Sequence, residues 1–142
     1  IRNDKALSES ILPVQELPVF NDLFIRANSF GELINATHLK NLANIARKNP
    51  QTLVTLWTKR KDLIRSVFST FEKPENLQII YSSPVINKQA KRPMFFDKVF
   101  TVYDKKTATS QNIDINCGSK SCTSCRICYT KNDIVNVREL LK

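Results

Sequence analysis

Thr52-Leu53-Val54-Thr55-Leu56-Trp57, then an apolar stripe of Leu63, Ile64, Val67, Phe68 and Phe71, then Lys73-Pro74 and Leu77-Gln78-Ile79-Ile80-Tyr81, decide the fold. Short apolar runs rich in β-branched residues suit strands that are buried on both faces. The stripe between them has helical spacing. Lys73-Pro74 ends that helix because a residue preceding proline resists the α region. One strand, one helix and a second strand in close succession form a β–α–β unit, whose strands run parallel.

The same rhythm extends both ways. Upstream, Leu23-Phe24-Ile25-Arg26-Ala27 reads as a strand. Asn35 then stands where a helix N-cap belongs, Leu39, Leu42, Ala43 and Ala46 share one helical face, and Asn49-Pro50 closes the helix. Downstream, Val99-Phe100-Thr101-Val102-Tyr103 is a fourth strand. Strands starting at 23, 52, 77 and 99 leave room for crossover connections. The least regular crossover runs from Pro84 to Pro93. After Asp104 the pattern gives way to a polar stretch, a cysteine cluster, and a final piece in which Ile134, Val137, Leu140 and Leu141 have helical spacing. The expectation is one α/β domain over 1–142: a mostly parallel sheet or partial barrel built from β–α units, with a C-terminal four-cysteine metal module at 115–130.

Composition narrows the class. The chain has 142 residues, 42% hydrophobic and 25% charged, enough for one domain with a real core. Two glycines exclude collagen-like, glycine-linker and glycine-rich phosphate-loop readings. No apolar run approaches the ~20 residues of a membrane span, so no membrane partner is expected. Ile1-Arg2-Asn3-Asp4 lacks the apolar stretch of a signal peptide, and without an initiating methionine the chain reads as processed or as a fragment. Twenty-two Lys plus Arg against 13 Asp plus Glu give a net charge of +9. That surplus favours nucleic acid or another acidic partner. Lys59, Arg60, Lys61 and Arg65 form one basic cluster, and Lys88, Lys91 and Arg92 form another, each alternatively a solvated surface.

All four cysteines fall in Cys117-x4-Cys122-x2-Cys125-x2-Cys128. Such spacing is commoner in metal or redox sites than in structural disulfides, and a thioredoxin-like pair uses two cysteines, not four. Zinc usually takes its thiolates from two knuckles set apart. The run Cys122, Cys125, Cys128 matches the first three ligands of a bacterial ferredoxin, with Cys117 as the fourth. Both an iron–sulfur cluster and zinc remain open as the cofactor.

Topology supplies a second constellation. Parallel α/β sheets gather ligands beyond the carboxyl ends of their strands. Here those ends carry Asn28, Ser29 and Glu32, then Thr58 and Lys59, then Ser82 and Ser83, then Asp104. Glu32 with Lys59 offers an acid–base pair, although helix caps and surface ion pairs explain the same residues. His38 is the single histidine and reads as a surface or interface residue. Trp57 reads as core or pocket wall. No His-Glu-x-x-His or Gly-x-Ser-x-Gly motif is present, so familiar hydrolase chemistry is disfavoured.

Phe30-Gly31-Glu32-Leu33-Ile34-Asn35, Ile45-Ala46-Arg47-Lys48-Asn49-Pro50, Leu56-Trp57-Thr58-Lys59, Pro74-Glu75-Asn76-Leu77, Tyr81-Ser82-Ser83-Pro84 and Cys125-Arg126-Ile127-Cys128-Tyr129 occur in order. This set resembles the phage "gene product eighty-eight" family, from about Leu23 to Tyr129. The resemblance implies an α/β fold, phage or prophage origin and the host cytoplasm as setting. It implies no reaction. Members of that family are usually longer, with a further cysteine-containing segment upstream of the first strand; no cysteine precedes Cys117 here, so the chain reads as a fragment or as a shortened member. Strand–helix alternation beside cysteines also suggests a radical S-adenosylmethionine enzyme, but the Cys-x3-Cys-x2-Cys that follows the first strand there is absent. Three functions follow as expectations: a metal-binding accessory protein whose basic surface engages nucleic acid or a host protein, an enzyme acting on a small phosphorylated or nucleotide ligand at the strand ends, and an iron–sulfur electron carrier.

Overall fold

The computed structural model describes residues 2–29 and 31–142. Ile1 and Phe30, quoted above in the N-terminal and family stretches, lie outside the described residues. The chain runs α1 (Arg2–Glu9), β1 (Phe24–Ala27), α2 (Ala36–Lys48), β2 (Leu53–Thr58), α3 (Lys61–Phe68), β3 (Leu77–Ser82), β4 (Lys98–Tyr103), α4 (Lys105–Ser110), α5 (Cys122–Cys125) and β5 (Asn136–Leu140), with 3-10 turns at Val14–Glu16 and Ile127–Tyr129. The five strands form one sheet in the order β1-β2-β3-β4-β5, and every pairing is parallel. No helix among the described residues is long and apolar enough to cross a membrane.

One face of the sheet carries the main core. Val54 and Leu56 of β2, Leu77, Ile79 and Tyr81 of β3, and Val99 of β4 pack with Leu39, Leu42, Ala43 and Ala46 of α2 and Ile64, Val67 and Phe68 of α3. These are the apolar positions read from the sequence. Asn35 caps α2 as expected, its side chain accepting from the His38 amide at 2.9 Å. Asn49, just before Pro50, is the C-cap. The β3–β4 connection has no regular helix, in keeping with its irregular sequence.

The opposite face is buried as well. Thr55, Gln78, Ile80, Lys98 and Val137 are each 3% exposed or less. The register places Thr55 beside Gln78 and Ile80 beside Lys98. A parallel sheet needs cover on both faces, and here the second cover is the cysteine segment.

Two local expectations are corrected. The C-terminal piece is not a helix: β5 pairs in parallel with β4, from Val99↔Asn136 to Tyr103↔Leu140. The spacing of Val137 and Leu140 fits either conformation, but the strand gives the β4 edge its hydrogen-bond partners and buries Val137 completely, which decides the matter. His38 is not at the surface either. It is fully buried in the first turn of α2 because α1 lies across it. Helix α1, which the sequence did not announce, is fastened by Asn41 of α2. That side chain donates to the carbonyls of Leu7 (2.7 Å) and Ser10 (2.8 Å) and accepts from the Leu12 amide (3.0 Å).

Asn41→Leu leaves those three backbone groups without their partner inside the protein. It is expected to cost roughly 2–3 kcal/mol in urea unfolding, with amide exchange rising first in α1; an unchanged midpoint contradicts the assignment. A second expectation concerns pH. Burial holds the His38 imidazole below its ordinary value of 6.5, against a smaller opposite pull from Asp4. The unfolded chain therefore binds the proton first. Stability is complete above about 6.5 and falls as the pH drops below it. Urea midpoints at pH 7.5 and 5.5 check this, with His38→Asn showing the shallower dependence.

Candidate functional site

The cysteine segment is held at several points. Asn116 and Cys117 lie along the outer edge of β5. Their amides donate to the Arg138 carbonyl at 3.2 and 3.0 Å, and the Asn116 side chain accepts from the Arg138 amide and donates to the Asn136 carbonyl. Gly118 follows at φ +108°, a conformation that favours glycine and turns the chain off the edge. Cys122 to Cys125 form the one-turn helix α5, and Arg126 at φ 54° ends it, donating its amide to the Cys122 carbonyl. The Cys128 carbonyl then meets the sheet. Thr55 Oγ1 donates to it at 3.1 Å and Gln78 Nε2 at 2.7 Å. The Tyr129 ring packs against Phe24 at 4.8 Å and Trp57 at 5.5 Å. Beyond it, Lys98 Nζ reaches up from β4 to Asn132 Oδ1 at 2.6 Å and to the Ile134 carbonyl.

Cys117, Cys122, Cys125 and Cys128 all line one small cavity, floored by Val137. None is in a disulfide; Cys122 is exposed and the others are half-buried. Burial pushes the Cys128 thiol up to about 12, with Cys117 adding to the rise and Lys98 opposing it. Burial and then Glu139 push Cys117 up too. A cation would have to displace protons from these sulfurs. No three His, Cys, Asp or Glu side chains among the described residues stand close enough together to hold a metal ion. The four sulfurs thus share a cavity without forming a finished coordination shell. In number and type they fit zinc or an iron–sulfur cluster.

A larger cavity of about 460 Å³ opens beside them at the carboxyl ends of the strands. Ser29, Glu32, Thr58, Lys59 and Ser82 line it together with Cys117, Cys122 and Cys128. The sequence-predicted strand-end set and three cysteines therefore border one space. Ser83 and Asp104 are not among its lining residues. Ser83 Oγ turns to the Val85 carbonyl, and Asp104 caps α4 through the Thr107 amide while accepting from Asn87.

Glu32 does not form the acid–base pair suggested by its neighbour. Its carboxylate accepts from the amides of Leu33 (2.8 Å) and Lys59 (2.7 Å) and from the Thr58 hydroxyl. It contacts Lys59 through backbone, not ammonium, and it anchors the loop after β1 to the β2–α3 turn. The basic clusters also separate by role. Arg60 is engaged with Asp62 at 2.9 Å and with the Leu33 carbonyl. Lys61 and Arg65 are exposed and share an open recess with Pro93 and Met94, which directly follow Lys91 and Arg92. Lys88, Lys91 and Arg92 are exposed on the β3–β4 connection.

Sequence reasoning missed Thr55, Gln78 and Lys98, the polar row under the cysteine segment, and Arg26, whose guanidinium lies 4.5 Å from the Trp57 ring centre. The available signal was a polar side chain within, or for Lys98 at the head of, each apolar strand run, on the same face.

No curated protein and no solved structure matches the chain. Residues 12–139 match the family model described as Gene product 88. That span takes in β1 to β4, the cysteine segment and nearly all of β5, and the chain belongs to the Gene product 88 family.

Proposed function

We propose that this phage-family protein binds a metal, zinc or an iron–sulfur cluster, through Cys117, Cys122, Cys125 and Cys128. The observation that carries the reading is the buried Lys98 beneath the segment. It is 2% exposed and hydrogen-bonded only to neutral oxygens. Among the described residues no carboxylate stands within ion-pair distance of it. A buried cation without a counter-charge is costly. Four thiolates around Zn²⁺ or around a 2+ cluster carry a net −2; burial holds the Lys98 ammonium below its ordinary value, and Cys128, then Asp97 and Asp133, pull the other way. Lys98 is then the positive charge set against a thiolate centre. The exposed Lys61, Arg65, Lys88, Lys91 and Arg92 supply the basic face for nucleic acid or a host protein.

A second reading rests on the 460 Å³ cavity. With three of the cysteines on its wall, a small phosphorylated or nucleotide ligand held there would lie next to the metal, and the chain would act as an enzyme. Glu32, fixed by three donors, would position the loop and would not move a proton.

Protein purified without oxygen is expected to hold metal in a ratio lost in Cys125→Ser. A brown product containing iron and sulfide identifies a cluster, including an electron carrier, and a colourless one with zinc identifies a structural centre. Lys98→Met is expected to weaken metal affinity by about tenfold or more, the scale of changes just outside a metal's ligands. Unchanged metal content in Cys125→Ser removes the ligand assignment. Unchanged affinity in Lys98→Met removes the counter-charge argument alone.

A further inference from the structure

Phe24, Trp57 and Tyr129 form one row of rings, with Tyr129 in the middle at 4.8 Å from Phe24 and 5.5 Å from Trp57. A guanidinium stands over each end. Arg26 lies 4.5 Å from the Trp57 ring centre, and Arg126 lies 5.6 Å from that of Phe24. The register pairs Arg26 with Thr55, so Phe24, Arg26 and Trp57 share the sheet face that the cysteine segment crosses. Both arginines are exposed and the three rings are half-buried. We propose that this row binds single-stranded nucleic acid, an inference that rests on the nucleic-acid partner of the proposed function and assigns it a surface other than the α3 side.

The way these two arginines are held sets them apart. Arg60 is neutralised by Asp62, and Lys73 by Asp97. Among the described residues no carboxylate stands within ion-pair distance of Arg26 or Arg126. Aromatic rings hold them instead, and a ring fixes a guanidinium without cancelling its charge. The planar fork of donors keeps the charge and shape that a phosphate takes. Two exposed lysines extend the row along the strands. Lys59 lines the 460 Å³ cavity at their carboxyl ends. Lys131 lines a cavity of about 480 Å³ at their amino ends, with Leu23, Thr52 and Leu53. Tyr129 borders both cavities.

This combination selects the ligand. A duplex offers phosphates but keeps its base faces stacked inside, so the rings would go unused. An unpaired strand offers both parts: its bases stack on aromatic rings and guanidinium planes, and its phosphates meet the cations. A free mononucleotide needs one ring and one cation. Rings and cations spread between two cavities suit several consecutive nucleotides.

The test uses the full chain, purified without oxygen, and labelled oligothymidylate and oligouridylate of about 15 nucleotides, near the upper site size of a single domain. Trp57 is the single tryptophan, so quenching of its fluorescence reports contact with the row directly. At least one strand is expected to bind saturably with Trp57 quenched, and a duplex of the same length to compete poorly. The tighter strand identifies DNA or RNA as the ligand. Arg26→Gln and Arg126→Gln are each expected to lower the slope of log affinity against log salt by about 0.7, the share of one phosphate on a single strand. Lys61→Gln combined with Arg65→Gln, on α3, is expected to leave the quenching in place. Three results would each overturn the inference: neither strand bound at low salt; a duplex competing as well as a single strand; or binding that leaves Trp57 fluorescence unchanged and is undiminished in both arginine variants. In the last case, loss of binding in the Lys61 and Arg65 double variant leaves the basic face on α3 standing as the nucleic-acid surface.

Discussion

A parallel sheet cannot leave either face to water, and strands placed side by side in chain order make that condition hard to meet. Right-handed crossovers taken repeatedly in one direction bring their helices to the same side. Here α2 and α3 cover one face, and the other needs a separate cover. The long β4–β5 connection provides it. The decisive contact is a single carbonyl, that of Cys128, received by Thr55 and Gln78 from adjacent strands. With Lys98 holding Asn132 and the Ile134 carbonyl, a short irregular segment is laid across an otherwise open sheet.

That arrangement makes cover and chemistry inseparable. The residues that bury the second face are the residues between and beside the cysteines, so the sulfurs come to the carboxyl-end rim as a consequence of closing the fold. Three of them border the strand-end cavity, and the strand-end residues meet them from the other side. Glu32 shows how a candidate catalytic group is absorbed by structure. Once two amides and a hydroxyl fill its oxygens, it serves as an internal anion for the β2–α3 turn.

Much of the fold was legible because local signals agreed with one another. Apolar runs of strand length, the Asn35 cap and the prolines at 50 and 74 all marked the same β–α units. The C-terminal strand was not legible: Val137 and Leu140 satisfy helical spacing by coincidence, and only the exposed edge of β4 decides between the two. His38 was misplaced for a related reason, since its burial depends on α1, a polar helix whose hold comes from the side chain of Asn41 more than thirty residues away. Of the strand-end set, Ser29, Glu32, Thr58, Lys59 and Ser82 border one cavity, a grouping that topology alone anticipates. Ser83 and Asp104 were lost because a turn and a helix cap claimed their side chains. The cysteine spacing was legible, but the polar row beneath it appears only when Thr55, Gln78 and Lys98 are placed on one face.

The strap formed by Asn116 and Cys117 has a consequence for solubility. It occupies the outer edge of β5, where a strand would otherwise present a row of unpaired amides and carbonyls to any passing chain. Cys117 is therefore an edge guard as well as a thiol. The guard works through backbone and the Asn116 side chain, so a single short stretch both closes the sheet's edge to other strands and carries a thiol to the cysteine cavity.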